Sequence, residues 1–286
     1  MQFSKSVIEL INERTSRRTF DKKILENESK EDLIKILDVK NIETPFKSTS
    51  GARFLLISTP EFDPDERRKI GTYGMIKGAQ EFIAGAIEKS EYNLETYGYL
   101  LEMIILGATD LDLGTCWLGG TFNRSLFSDK IQLKPNEILP AITPIGYKAD
   151  RTMKEKAIRK FVKANSRMPW DKLFYTGNFS TPCDQNNIGN YSTILEMVRL
   201  GPSAGNKQPW RVVREQDRNI FHFYVKFSQD LKGKVYNQFV RLDIGIAICH
   251  FDLSAKELGI KGKWDFIEPK FESPKELKYI ISWIDQ

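Results

Sequence analysis

The chain has 286 residues, 41% of them hydrophobic and 28% charged, and 43 basic against 38 acidic side chains leave a net charge of +5. This balance suits a folded chain with a sizeable core, and basic residues dispersed along the sequence make neither nucleic acid nor a membrane surface an expected partner. Cys116, Cys183 and Cys249 are too few and too widely spaced for a disulfide framework or a zinc site, and charge interrupts every apolar stretch before it reaches membrane-spanning length.

The first twenty residues carry Lys5, Glu9, Glu13 and several arginines where a secretory leader would be apolar, so a cytoplasmic chain is expected. Helical spacing of Val7, Ile8, Leu10 and Ile11 predicts a helix over 4–14, and a second follows over 30–39. Phe54-Leu-Leu-Ile57 marks a buried strand within 51–59, a charged loop covers 61–68, and the small residues of 71–87 read as a closely packed helix. The strongest helix is 95–113, apolar almost all round and ended by Gly114. A strand over 138–147 follows, then a charged helix or linker over 148–163 and a polar connection over 176–190. The remainder reads as a helix over 188–200, strands over 210–213 and 220–227, an apolar helix over 239–258 and a closing strand over 278–284. His222 and His250 have no ligand-spaced Cys or carboxylate and read as structural, and Cys116 reads as packing.

Three segments suggest chemistry, and each alone has a plainer reading. Arg14-Thr-Ser-Arg-Arg-Thr-Phe20 is a basic run with two hydroxyls, in isolation a solvated surface; its guanidinium forks suit a phosphate dianion. Thr115-Cys-Trp-Leu-Gly-Gly-Thr121 is a helix-ending loop whose glycines allow a flat ring to approach the main chain closely. Arg199-Leu-Gly-Pro-Ser-Ala-Gly-Asn-Lys-Gln-Pro-Trp210 is a helix-to-strand turn of small polar residues.

Together these segments resemble the nitroreductase-like flavoproteins, through an Arg-x-Ser-x-Arg type start, a Trp-x-Gly-Gly loop and a Pro-Ser-x-x-Asn-x-Gln-Pro-Trp loop. The resemblance implies an α+β fold and FMN as cofactor. It assigns the flavin phosphate to Arg14, Ser16 and Arg17, with Arg18 as the competing register, and to Arg167 in the Arg167-Met-Pro169 context. The ring falls to Trp117, Leu118, Gly119 and Gly120 on one side and to Pro202, Ser203, Ala204, Asn206 and Gln208 on the other. It further implies electron transfer from NADH or NADPH to a nitroaromatic, quinone or similar small acceptor in a ping-pong cycle, with no general base from the protein. The alternative is a non-catalytic flavin sensor or carrier.

The chain also repeats itself. Ser166-Arg, Trp170 and Asp171-Lys recur at the spacing of Ser16-Arg, Phe20 and Asp21-Lys, and Leu106 to Gly114 with Trp117 parallels Phe251 to Gly259 with Trp264. Two pseudo-symmetric halves are expected, 1–164 and 165–286, each a mostly antiparallel sheet under helices, with the two apolar helices at the centre. In this arrangement one chain mimics the usual homodimer and works as a monomer. The counterpart of the 202–208 loop, Thr44 to Gly51, lacks the Asn-x-Gln-Pro-Trp pattern, so a single flavin per chain is expected.

Overall fold

The computed structural model describes residues 1–46, 51–227, 231–267 and 269–286. Helix α1 (Val7–Glu13) begins at Ser6, whose side chain accepts from Glu9 N–H, and buries Val7, Leu10 and Ile11. Next come α2 (Asn27–Leu37), β1 (Arg53–Ser58) and α3 (Pro64–Arg68), the last opened by a reciprocal Asp63–Glu66 cap. The first half is completed by β2 (Glu81–Glu88), α4 (Asn93–Asp110), β3 (Gly114–Thr115), α5 (Arg124–Lys130), β4 (Glu137–Ile138) and β5 (Ile142–Gly146). After α6 (Met153–Phe161), capped by Thr152, come β6 (Phe174–Thr176), α7 (Tyr191–Leu200), β7 (Trp210–Arg214) and β8 (Ile220–Lys226). The long α8 (Leu231–Glu257), β9 (Gly262–Asp265) and β10 (Leu277–Asp285) close the chain.

The strands form two sheets with one wiring. In the first the order is β1-β2-β5-β3, with β4 also paired to β2; in the second it is β6-β7-β8-β10-β9. Matching β1, β2, β3 and β5 to β7, β8, β9 and β10 superposes the two orders, and all these pairs are antiparallel. The long helix enters at the same point in each, α4 between β2 and β3, α8 between β8 and β9. The fold is therefore α+β with two pseudo-symmetric halves. Strand β6 stands outside the match and joins β7 in parallel.

Helices α4 and α8 cross at the centre through two glycines. A Cβ on Gly98 would lie 2.2 Å from Leu242 O, and one on Gly245 would lie 2.1 Å from Glu95 O, so main chain meets main chain at the crossing. Each helix is buried on nearly every side there, from Leu94 to Ala108 and from Ile244 to Phe251. Arg241 of α8 clamps the Glu95 carboxylate of α4 at 2.7 and 2.6 Å.

Two expected elements differ. The segment 71–87 is not a helix: residues 81–88 form β2, buried on both faces, a pattern in which hydrophobic periodicity cannot separate strand from helix. The small residue read as a helix-packing position, Gly85, instead leaves room for the Phe54 ring on β1, 2.4 Å from where a Cβ would stand. Within the expected charged loop 61–68 the Asp63–Glu66 cap supports α3. Among the described residues no helix is long and apolar enough to cross a membrane.

Candidate functional site

Beyond α1 the chain runs extended beside β3: Ser16 bridges Thr115, Arg17 N–H donates to Thr115 O at 2.8 Å, and Thr19 and Phe20 bridge Lys77 and Lys148. Successive side chains of an extended segment point to opposite sides. Ser16 and Arg18 accordingly line a cavity, whereas Arg17 turns away and packs over Gly114. The competing register is the one that reaches the site.

That cavity has two adjoining parts, of about 330 and 190 Å³, which share Ser16, Arg18, Pro202, Ser203 and Gly205 as lining residues. The outer part adds Arg14, Arg159, Arg167 and Asn206; the inner part adds Trp117, Gly119, Gly120 and Ala204 from the loops. Helix α8 closes the inner part with Phe239, Leu242, Asp243 and Ile246, none of which lies in a recognisable motif. Segments on both sides of residue 165 thus build one site, as the distribution of motifs implied.

Among the described residues four arginines, Arg14, Arg18, Arg159 and Arg167, and no carboxylate line the outer part. Burial first, and then the charges of Arg14, Arg199 and Arg159, lower the Arg167 guanidinium to about 10. Burial and Arg151 lower Arg17 and Arg159 in the same way. The Nε–H groups of Arg14 and Arg18, both of which line the outer part, are buried with no hydrogen-bond partner among the described residues. Unpaired buried guanidinium donors beside a cavity suit a doubly charged anion. At the inner end Gly119 and Gly120 line the space, and the Phe239 ring packs on Gly119 so closely that a Cβ there would stand 2.5 Å from it. Anion-seeking arginines at one end and two glycines at the other fit a flat ring carrying a phosphate tail.

Several residues assigned to ligand contact also fasten loops. Asn206 donates through Nδ2 to Lys163 O and Ser166 O and accepts from Arg167, and Gln208, buried, donates to Arg199 O and accepts from Met168 N–H. Gln208 does not line the cavity, and neither does Leu118, which is buried and hydrogen-bonded through its main chain to Ile142. Arg167 lines the outer part but spends its donors on Leu200 O, Ala164 O and Ser166 O. The loop needs such fastening because Gly205, Asn206 and Gln208 all have φ between 46° and 60°, a region costly for the two residues with side chains. Ser203 Oγ accepts from Gln208 N–H at 2.9 Å and closes the turn.

Trp117 is held from below. Its Nε1–H donates to Glu102 Oε2 at 2.7 Å; the other oxygen of Glu102 lies 3.0 Å from His250 Nε2 and 3.6 Å from Arg14 Nε, and His250 Nδ1 lies 2.8 Å from Met197 O. Burial raises the Glu102 carboxyl, but the His250 hydrogen bond, Arg14 and the Trp117 N–H outweigh it and hold it below the usual range. His250 is a structural residue, as expected, and links α8, α4 and α7 beneath the site. His222, also buried, lies far from the site between Ser282 and Glu215. Burial pushes the Cys116 thiol up, which fits packing.

The pseudo-symmetric position is built differently. Counting from Trp264 as from Trp117, Phe266 stands where the first site has Gly119. Its ring packs on Tyr92 at 5.1 Å, and Tyr92 stacks on Phe46 at 5.6 Å. Of the loop 44–51 expected there, residues 47–50 lie outside the described residues.

A protein-family model described as "Putative TM nitroreductase" matches residues 6–255. Among solved structures, the "putative nitroreductase" of Thermotoga maritima is similar over 99% of this chain and 95% of its own, with 18% identity and a TM-score of 0.59, which shows a shared fold. A nitroreductase family protein of Clostridium difficile covers 59% of this chain and 94% of its own (19% identity, TM-score 0.43). A putative nitroreductase of Desulfovibrio desulfuricans, in complex with FMN, covers 54% and 95% (20%, 0.40). A search among curated proteins finds no match. Matching sheet wiring, a site assembled across both halves and a family match over most of the chain lead to one assignment: the protein belongs to the nitroreductase family.

Proposed function

We propose that the two-part cavity binds one FMN per chain and that the protein is an oxidoreductase moving electrons from NADH or NADPH to a small acceptor such as a nitroaromatic or quinone, in ping-pong order. The observation that supports this reading is that an arginine-lined outer cavity and an inner cavity lined by Gly119 and Gly120 adjoin and share five lining residues. Arg18, Arg14 and Arg159 would hold the phosphate, with Ser16 beside it; Trp117, Gly119 and Gly120 would border the ring, and Pro202 to Gly205 would face it from the second half. FMN, when bound, supplies hydride-transfer chemistry; the residues around it bind, orient and exclude water. Units 1–164 and 165–286 each contribute part of the site, so a single chain suffices and works as a monomer.

Anaerobic addition of NADH or NADPH to the FMN-loaded protein should bleach the flavin absorption. No bleaching by either would sink the nicotinamide part and leave the carrier reading. Arg18→Ala is expected to weaken FMN binding by about ten- to a hundredfold, the scale of one or two charge-assisted contacts. Arg17→Ala, on the opposite side of the same segment, should change it by less than about threefold, a few tenths of a kcal/mol. Fluorescence titration with FMN ranks the two, and the reverse order would refute the placement of the phosphate. Flavin released on denaturation should equal one per chain; a ratio near two would show that the Phe46–Tyr92–Phe266 stack does not block the second position.

A further inference from the structure

Asp243 on α8 lines the inner cavity, is 4% exposed and belongs to none of the motifs. Its two carboxyl oxygens lie 3.0 and 3.1 Å from one donor, the N–H of Ala204, and no cation pairs with it among the described residues. Ala204 is gripped at its other end as well, because Tyr236, two turns earlier on α8, donates its hydroxyl to Ala204 O at 2.8 Å. The helix therefore holds the strained 203–208 loop by one residue. One N–H is poor compensation for a full buried charge, whereas a protonated carboxyl is tolerated there with its O–H still to be satisfied. No acceptor for that O–H is present among the described residues, and the carboxyl borders the cavity.

We propose that Asp243 is an uncharged positioning residue, which accepts from Ala204 N–H with one oxygen and donates its O–H from the other to an acceptor atom on the edge of the bound ring. This rests on the FMN reading above. Burial lifts the Asp243 carboxyl well above the usual carboxylate range, with the Ala204 N–H opposing. Among described groups, the N-terminal segment brings Arg18 to the same cavity and α8 itself brings Tyr236, while the 117–120 loop presents no titratable side chain. Among the described residues neither Arg18 nor any other cation forms an ion pair with Asp243, so no counter-charge opposes retention of its proton.

The test has a cofactor-free arm and a flavin arm. In the protein without flavin at pH 7, infrared spectroscopy should show the C=O band of a protonated carboxyl that disappears in Asp243→Asn; absence of that band from the parent overturns the proposal. The linkage has a definite sign. A carboxyl whose folded pKa is raised loses its proton on unfolding, so it costs stability increasingly as pH rises above the unfolded value, and Asp243→Asn should gain melting temperature over the parent as pH is raised from 5 to 8. In the flavin arm, Asp243→Asn, which keeps a donor and an acceptor, should bind FMN within about threefold of the parent, and Asp243→Ala should bind at least tenfold more weakly. Equal affinity of the alanine and asparagine variants would make Asp243 a loop clamp only and overturn the donor role. Failure of the parent to bind FMN at all would instead strike the underlying reading, and the ring-donor role with it.

Discussion

Glu102→Ala is expected to destabilise the protein by about 3–5 kcal/mol, the usual result of removing one partner from a buried ionic network. The carboxylate is fully buried, accepts from Trp117 Nε1–H, lies 3.0 Å from His250 Nε2 and forms an ion pair at 3.6 Å with Arg14, which is itself 7% exposed. Alanine would leave Arg14 as a buried charge without its counter-ion and Trp117 without its acceptor. The second loss reaches the site, because Trp117 borders the inner cavity and directs the loop to Gly119 and Gly120. Urea unfolding of parent and variant measures the effect, and a loss below about 1 kcal/mol would mean that the network contributes little net stability. The pH dependence has a determined sign. The folded pKa of Glu102 is held below its ordinary value, so its contribution is complete above the unfolded carboxylate pKa and is lost as pH falls toward the folded one. The gap between the parent and Glu102→Gln should therefore narrow as the solution is acidified.

Gly245→Ala tests the crossing of the two central helices. Alanine is the better helix former by about 1 kcal/mol, so propensity alone predicts a gain. Against this, the new Cβ would stand 2.1 Å from Glu95 O and 2.9 Å from Tyr99 N, and main-chain atoms of a helix cannot swing aside as a side-chain end does. The helices would have to separate, and overpacking of this kind costs about 1–3 kcal/mol or more. A net loss of stability is expected. Because α8 also carries Phe239, Asp243 and Ile246 into the inner cavity, FMN affinity should fall with it. Denaturant unfolding together with flavin titration reports both, and a variant as stable as the parent would show that the crossing has slack. Gly98→Ala, whose Cβ would meet Leu242 O at 2.2 Å, should behave alike.

The N-terminal arginine run shows where sequence reading stops. The basic run at 14–18 reads from the sequence as a candidate anion site, but which of its arginines lines the cavity depends on which face of an extended segment meets that cavity. Pairing of Ser16 and Arg17 with Thr115 sets that face, a contact across nearly a hundred residues. The Pro-Ser-x-x-Asn loop was legible as a site element, yet Asn206 and Gln208 serve as fasteners because three positive φ values in four residues need support from side chains. Asp243 and Phe239 left no local signal, since on an apolar helix their exposure to a cavity depends on what packs against every other face. The sequence reads as helix over 71–87, where the structure has a strand at 81–88, because a short strand buried on both faces has no alternation to display.

By itself the sequence determined the family motifs, the repeat and the two apolar helices, because each is written in local spacing: small residues at a turn, forks of charge, and a 3.6-residue period ended by glycine. The tertiary structure decided that the two halves share one sheet wiring, that Arg18 rather than Arg17 lines the cavity and that Phe266 packs on Tyr92. It also decided that one buried carboxyl on α8 holds the loop over the site. These depend on which surfaces meet, and burial, strand pairing and helix crossing exist only once the chain has closed on itself.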